Sequence, residues 1–214
     1  MKKFIGHIHK ARAAFTLMEV NLAIFIMAVG VLAMTSLYPL GFRESEQSRD
    51  DVRAAIVADQ VLGKLTAALS SRNITWDKWE SAVENAVSAS SEGQQTGWLS
   101  YFTRRGTDTY VVKSRDRVNA QAEKVFSALA AACSPKPTFD TSTIKNKFAY
   151  GIVVQWGKRV IATGNGTSET REDRSRVSIS FRLARRSGAL MTAPIYYTEV
   201  HFQGDQDDQR EQGQ

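Results

Sequence analysis

AFTLMEVNLAIFIMAVGVLAMTSLYPLGF, residues Ala14–Phe42, decides how this chain is read. From Val20 to Phe42 it holds 23 residues without a formal charge, and the run ends at Arg43. A helix rises about 1.5 Å per residue, so about 20 apolar residues cross a bilayer core of about 30 Å. The run is long enough to span. One carboxylate, Glu19, stands at its mouth. A charge inside a spanning helix costs about 2.5–3.5 kcal/mol at mid-depth, less toward the ends, and usually marks function. Thr16-x-x-Glu19 also has the spacing of a capping box, in which each side chain satisfies a free backbone N–H at a helix start. A carboxylate in the first turn further suits the helix dipole, by about 0.3–1 kcal/mol. Capping alone accounts for Glu19 but not for what precedes and follows it.

What precedes it is the leader MKKFIGHIHKARAA, residues 1–14, with Lys2, Lys3, Lys10 and Arg12 and no acidic residue. Beyond the run, Arg43–Arg53 mixes both signs. Positive residues gather before the apolar segment, so the amino end is expected in the cytoplasm and the bulk of the chain exported across the membrane. Three readings compete. A cleaved secretory signal needs small residues at a cut after the apolar run; Ala33-Met34-Thr35 is a poor version, and the run exceeds the roughly 7–15 residues of a signal core. A plain uncleaved anchor explains length and orientation and gives Glu19 no task. The third reading cuts the leader between Ala14 and Phe15 and leaves the apolar helix attached to the exported domain.

Phe15-Thr16-Leu17-Met18-Glu19-Val20 resembles the cleavage and methylation motif of type IV prepilins and type II secretion pseudopilins. The resemblance covers about residues 1–70 and is strong over 10–42. It implies that a prepilin peptidase cuts at Ala14–Phe15 and methylates the new amine of Phe15. It also implies that Glu19 is the carboxylate used in assembly. The family usually has Gly where this chain has Ala14. The AFTL…E opening, the Leu37-Tyr-Pro-Leu-Gly41 exit and the overall size are also similar to the pilin-like Verru_Chthon cassette protein B family. Partners implied by the resemblance are the peptidase, other pilin or pseudopilin subunits, an inner-membrane assembly platform and membrane lipid. The implied product is a pilus or pseudopilus; the large, irregular headgroup and modest charge favour a minor subunit over the bulk fibre protein.

The formal net charge is +6, of which the leader supplies four, so removal leaves about +2 and weakens any global argument for nucleic acid. Local basic density remains at Arg171, Arg174, Arg176, Arg182, Arg185 and Arg186. Solvated strand faces are the preferred reading, and a groove for DNA or another polyanion is the rival. No aromatic–basic interleaving of the stacking kind accompanies these arginines.

Along the chain, Pro39 and Gly41 are expected to interrupt or kink the helix, since proline removes a backbone bond. Val57, Ala58, Val61, Leu62, Leu65, Ala68 and Leu69 then recur at helical spacing and predict one apolar stripe. Trp76 and Trp79 suit one helix face, while Ser88–Gln95 reads as a polar loop. Trp98–Thr103 and Thr109–Lys113 flank a turn and predict a hairpin. Ala120–Cys133 predicts a helix stopped by Ser134-Pro135-Lys136-Pro137. Ala149–Trp156, Val177–Leu183 and Pro194–Phe202 predict strands of a half-buried antiparallel sheet, with a polar loop from Gly164 through Ser175. The expected class is α+β: a long N-terminal helix, transmembrane and then amphipathic, on an antiparallel headgroup in the pilin manner. The expected parts are leader 1–14, transmembrane and assembly helix 15–42, exported headgroup 43–202 and disordered tail 203–214.

No enzyme constellation stands out, so no catalytic activity or cofactor is expected. His7 and His9 belong to the leader, leaving His201 and the single Cys133. That is too few for the usual zinc ligand set, and no G-x-S-x-G occurs. A single cysteine excludes an internal disulfide; after Leu129-Ala-Ala-Ala132 it reads as a small buried thiol. Trp98, Tyr101, Phe102, Tyr196 and Tyr197 could line a carbohydrate-binding face, although strand aromatics are mostly core. Two other functional classes stay open: an uncleaved, membrane-anchored periplasmic binding protein and a DNA-binding or polyanion-binding minor pilin.

Overall fold

The computed structural model describes residues 16–90, 97–107, 109–137, 144, 146–163 and 167–204. The chain divides into two compact units at Arg49/Asp50. The second unit therefore begins seven residues later than the sequence boundary at 43. The predicted cut at Ala14–Phe15, the start of the predicted loop at Gly164–Gly166 and most of the expected tail lie outside the described residues.

Helix α1 runs Leu17–Leu69 and is helical through Pro39 and Gly41. Within the first unit, residues 17–49 have no buried side chain. Within the second, Ala58, Val61, Leu62, Leu65 and Leu69 of the predicted stripe join the core together with Ala54, which was not predicted, while Val57 and Ala68 are half-buried against it. Helix α2 spans Trp76–Ser90, so Ser88–Ser90, expected in a loop, close its last turn instead. A 3₁₀ turn at Gly97–Tyr101 leads into β1 (Phe102–Arg104), which pairs antiparallel with β2 (Tyr110–Val112). The predicted hairpin is thus present but shorter. Helix α3, Arg115–Ala132, starts five residues before the expected Ala120 because its charged first turn hides the periodicity. It ends ahead of Ser134-Pro135, as predicted.

The main sheet has the order β3-β4-β5, all antiparallel, from Ala149–Thr163, Thr167–Ala184 and Ile195–His201. Between Val177 and Leu183, β4 alternates buried and half-buried side chains as expected. The predicted loop through Ser175 is a correction: Thr167–Asp173 is strand, paired with Gly157–Thr163. Among the described residues no third strand pairs with this ribbon, and Ser168–Glu172 and Lys158–Ile161 are exposed, so nothing requires apolar residues there. It takes its order from pairing rather than from burial.

At the root of the ribbon the register shifts between Trp156 and Gly157. Arg174 O accepts from Trp79 Nε1 at 2.9 Å, and Ser175 O from Phe202 N at 2.8 Å. Asp173 Oδ1 accepts from Ser175 N at 3.1 Å and Oγ at 2.6 Å; the hydroxyl bond leads in holding that carboxyl below its ordinary pKa.

Strand β3 is a sheet edge with buried side chains from Phe148 to Val154. Such an edge has unpaired backbone groups away from water, each costly to leave unmet. Three side chains meet them at every second residue. Asn119 of α3 donates to Phe148 O at 3.1 Å and accepts from Tyr150 N at 3.0 Å. Tyr101 Oη accepts from Ile152 N at 2.7 Å and donates to Ile152 O. Ser90 of α2 donates to Val154 O at 3.2 Å and accepts from Val154 N at 3.5 Å. Burial pushes the Tyr101 phenol well above its ordinary pKa. Gly151 lies where a Cβ would sit 2.7 Å from Trp98 Cζ3, so the turn carrying Tyr101 needs a glycine beneath it.

Replacing Tyr101 with Phe removes the hydroxyl and strands both backbone groups of Ile152. The expected loss is about 1–3 kcal/mol of headgroup stability. Denaturant unfolding of the full chain in detergent, followed by tryptophan fluorescence, measures it; an unchanged midpoint contradicts the edge role.

Candidate functional site

The functional candidate in the first unit is the start of α1. Thr16 precedes the helix, and Glu19 lies in its first turn. Glu19 Oε2 accepts from Thr16 N and from Thr16 Oγ1, both at 3.3 Å, and Glu19 N donates to Thr16 Oγ1 at 3.3 Å. This is the reciprocal capping arrangement that the spacing allowed. Among the described residues both bonds to the carboxylate fall on Oε2. A carboxylate has about four acceptor positions on two oxygens, so capacity remains for a further donor.

Glu19 borders a shallow apolar depression lined by Val20, Ala23, Ile24 and Met27. Every large apolar side chain from Leu17 to Phe42 is at least 46 % exposed. This helix is long and apolar enough to cross a membrane, and no part of the apolar window is covered by the rest of the protein. A charged acceptor at the head of an uncovered apolar rod can receive a cation from another molecule only where water is scarce enough to make the pairing worthwhile.

In the second unit the six-arginine cluster does not form one surface. Arg171 is paired with Glu169 at 3.1 Å, and Arg174 with Glu80. Arg176 donates to Lys158 O at 2.7 Å and lies 3.9 Å from Glu199. Arg182 covers the Trp98 ring at 4.6 Å and donates to Met191 O at 3.0 Å. Arg185 and Arg186 line one concavity together. They meet Arg53, Arg115 and Lys147 there, residues that nothing local in the sequence connects.

The aromatic face is likewise divided: Tyr101 is turned into the core, Trp98 packs on it at 5.5 Å, and Tyr197 is exposed on β5. Among the described residues no group of three or more His, Cys, Asp or Glu is placed to hold a metal. His201 is exposed at the end of β5, opposite Arg176. Cys133 is buried as expected, and burial raises its thiol pKa.

No protein-family model matches the chain, and no curated protein or solved structure is significantly similar to it.

The state of Cys133 is open to a direct check. A buried thiol held in its neutral form should react with iodoacetamide at least about tenfold more slowly in the folded chain than in denaturant. Rapid alkylation of the folded chain, or a reducible dimer on a gel, contradicts that placement.

Proposed function

We propose that this chain is a pilin-like subunit that works by assembly, as a minor component of a type IV pilus or a type II secretion pseudopilus. The observation that carries the reading is Glu19 at the head of an uncovered apolar helix that is long enough to span a bilayer. The prepilin-like residues around it supply the partner. A cut at Ala14–Phe15 by a prepilin peptidase would create a cationic, methylated amine at Phe15, four residues from the carboxylate. In an assembled array the amine of one subunit meets Glu19 of the next, and both charges are neutralised as the helix leaves lipid for a bundle of like helices. The apolar surface from Leu17 to Leu37 then packs against neighbours, and the headgroup rides outside. Until extraction by an assembly platform, the same helix holds the chain in the inner membrane.

The capping geometry fits this role. Thr16 holds the carboxylate through Oε2 and leaves acceptor capacity for the incoming amine. An uncleaved, membrane-anchored binding protein is the second reading; it is favoured by one observation, the basic concavity of the headgroup.

Glu19→Gln keeps size and part of the cap but removes the charge. Cross-linking of the chain to its neighbouring subunits in assembled fibres, through a cysteine placed at Ala23 or Ala28, should fall by roughly tenfold, the scale of one ion pair of about 1.4 kcal/mol. Membrane retention should be unchanged. Thr16→Ala, which breaks the cap and spares the carboxylate, should lose much less. Equal cross-linking in Glu19→Gln and the native chain would overturn the proposal.

A further inference from the structure

We propose that the headgroup carries a binding site for a compact phosphate-class anion, in the concavity where α1, the start of α3, the residues before β3 and the end of β4 converge. The concavity has a volume of about 480 Å³. Among the described residues its charged lining is Arg53, Arg115, Lys147, Arg185 and Arg186 against the single carboxylate of Asp50. Five cations from four segments in one depression repel each other when it holds only water and one carboxylate. That arrangement is costly unless an anion offsets it, and concave walls focus the field inward.

The carboxylate present acts as a spacer. Asp50 Oδ2 accepts from Arg185 Nη1 at 3.1 Å, and Oδ1 lies 4.0 Å from Arg53 Nη1. Arg115 is oriented by donating from Nη1 to Asn146 O at 3.3 Å. Its Nε lies 3.8 Å from Asp116, a carboxylate that is 92 % exposed and not part of the lining. Counting Asp116 as well still leaves three positive charges in excess.

The ligand class follows from number and shape. Guanidinium forks match oxyanions through paired N–H groups. A single carboxylate offers two oxygens and one charge, enough for one fork. A phosphoryl group offers three terminal oxygens and about −1.5 to −2 charges, which suits cations approaching from several sides. A single-stranded nucleic acid does not fit, because stacking platforms are missing from the lining: Phe148, its one aromatic residue, is 7 % exposed. The phosphate can come from two sources, a free phosphate or phosphate ester, or a phospholipid headgroup. Asp50 follows Phe42, the end of the apolar run, by eight residues.

The test is a calorimetric titration of the full chain in uncharged detergent with inorganic phosphate, against chloride at matched ionic strength. Saturable binding of one phosphate per chain is expected. Lys147→Ala combined with Arg186→Ala should weaken it by about tenfold or more. Both side chains are exposed, so the fold should survive; if the double variant melts early, Arg53→Ala alone is read instead, with a several-fold loss expected. Arg171→Ala, outside the concavity and equal in charge change to one of these, should leave affinity unchanged.

Repeating the titration in lipid nanodiscs separates the sources. Loss of phosphate binding on adding phosphatidylglycerol to a zwitterionic disc identifies a headgroup ligand; equal binding in both discs identifies a free phosphate. Absence of saturable binding in detergent, or the same affinity in the double variant as in the native chain, overturns the proposal.

Discussion

Residues 17–42 present sixteen large apolar side chains to their surroundings, and none is buried among the described residues. Each such side chain is worth about 1.5–3 kcal/mol when removed from water, so the run as a whole represents tens of kcal/mol. Among the described residues nothing offsets that exposure. Lipid or other helices would offset it, and everything proposed for function concerns how the segment passes from one to the other. Lipid and a helix bundle are about equally apolar, so burial alone gives little preference between them. A charge pair formed only in the bundle would supply that preference, and Glu19 is where such a pair could form.

The headgroup solves a different problem. Its core includes a sheet edge, and a buried edge has backbone groups with no strand to answer them. Asn119, Tyr101 and Ser90 answer at Phe148/Tyr150, Ile152 and Val154, one from each of three packed elements. The same bonds therefore tie α2, α3 and the 3₁₀ turn to β3 and answer its buried edge from Phe148 to Val154. A domain without an internal disulfide can rely on such a device together with its apolar core. The exposed ribbon beyond Gly157 has no such closure and is held at its root by Trp79 and Phe202 instead.

Much of this layout was legible in the sequence where one face is buried. The stripe from Val57 to Leu69 and the alternation from Val177 to Leu183 both record burial directly. The polar ribbon at Thr167–Asp173 was not legible, because pairing without burial leaves no hydrophobic period. The first turn of α3 was hidden for a similar reason: Arg115, Asp116 and Arg117 face solvent. The edge-closing residues look in sequence like ordinary polar positions, since their role exists only once β3 lies beside them. Glu19 was conspicuous because a carboxylate beside an apolar run breaks the local pattern. The basic concavity gave no sign, because its five cations are gathered from positions 53 to 186 by folding alone. The run of arginines on β4 gave the opposite impression, and most of its members are held by separate partners.

The central claim is that Glu19 awaits an amine made by processing, and the chemistry of the amino terminus tests it most directly. Intact-mass and terminal-sequence analysis of the chain extracted from its native membrane should find a chain beginning at N-methylated Phe15. A retained Met1, or a terminus beyond Gly41, would contradict the account and leave Glu19 as the cap of a simple anchor.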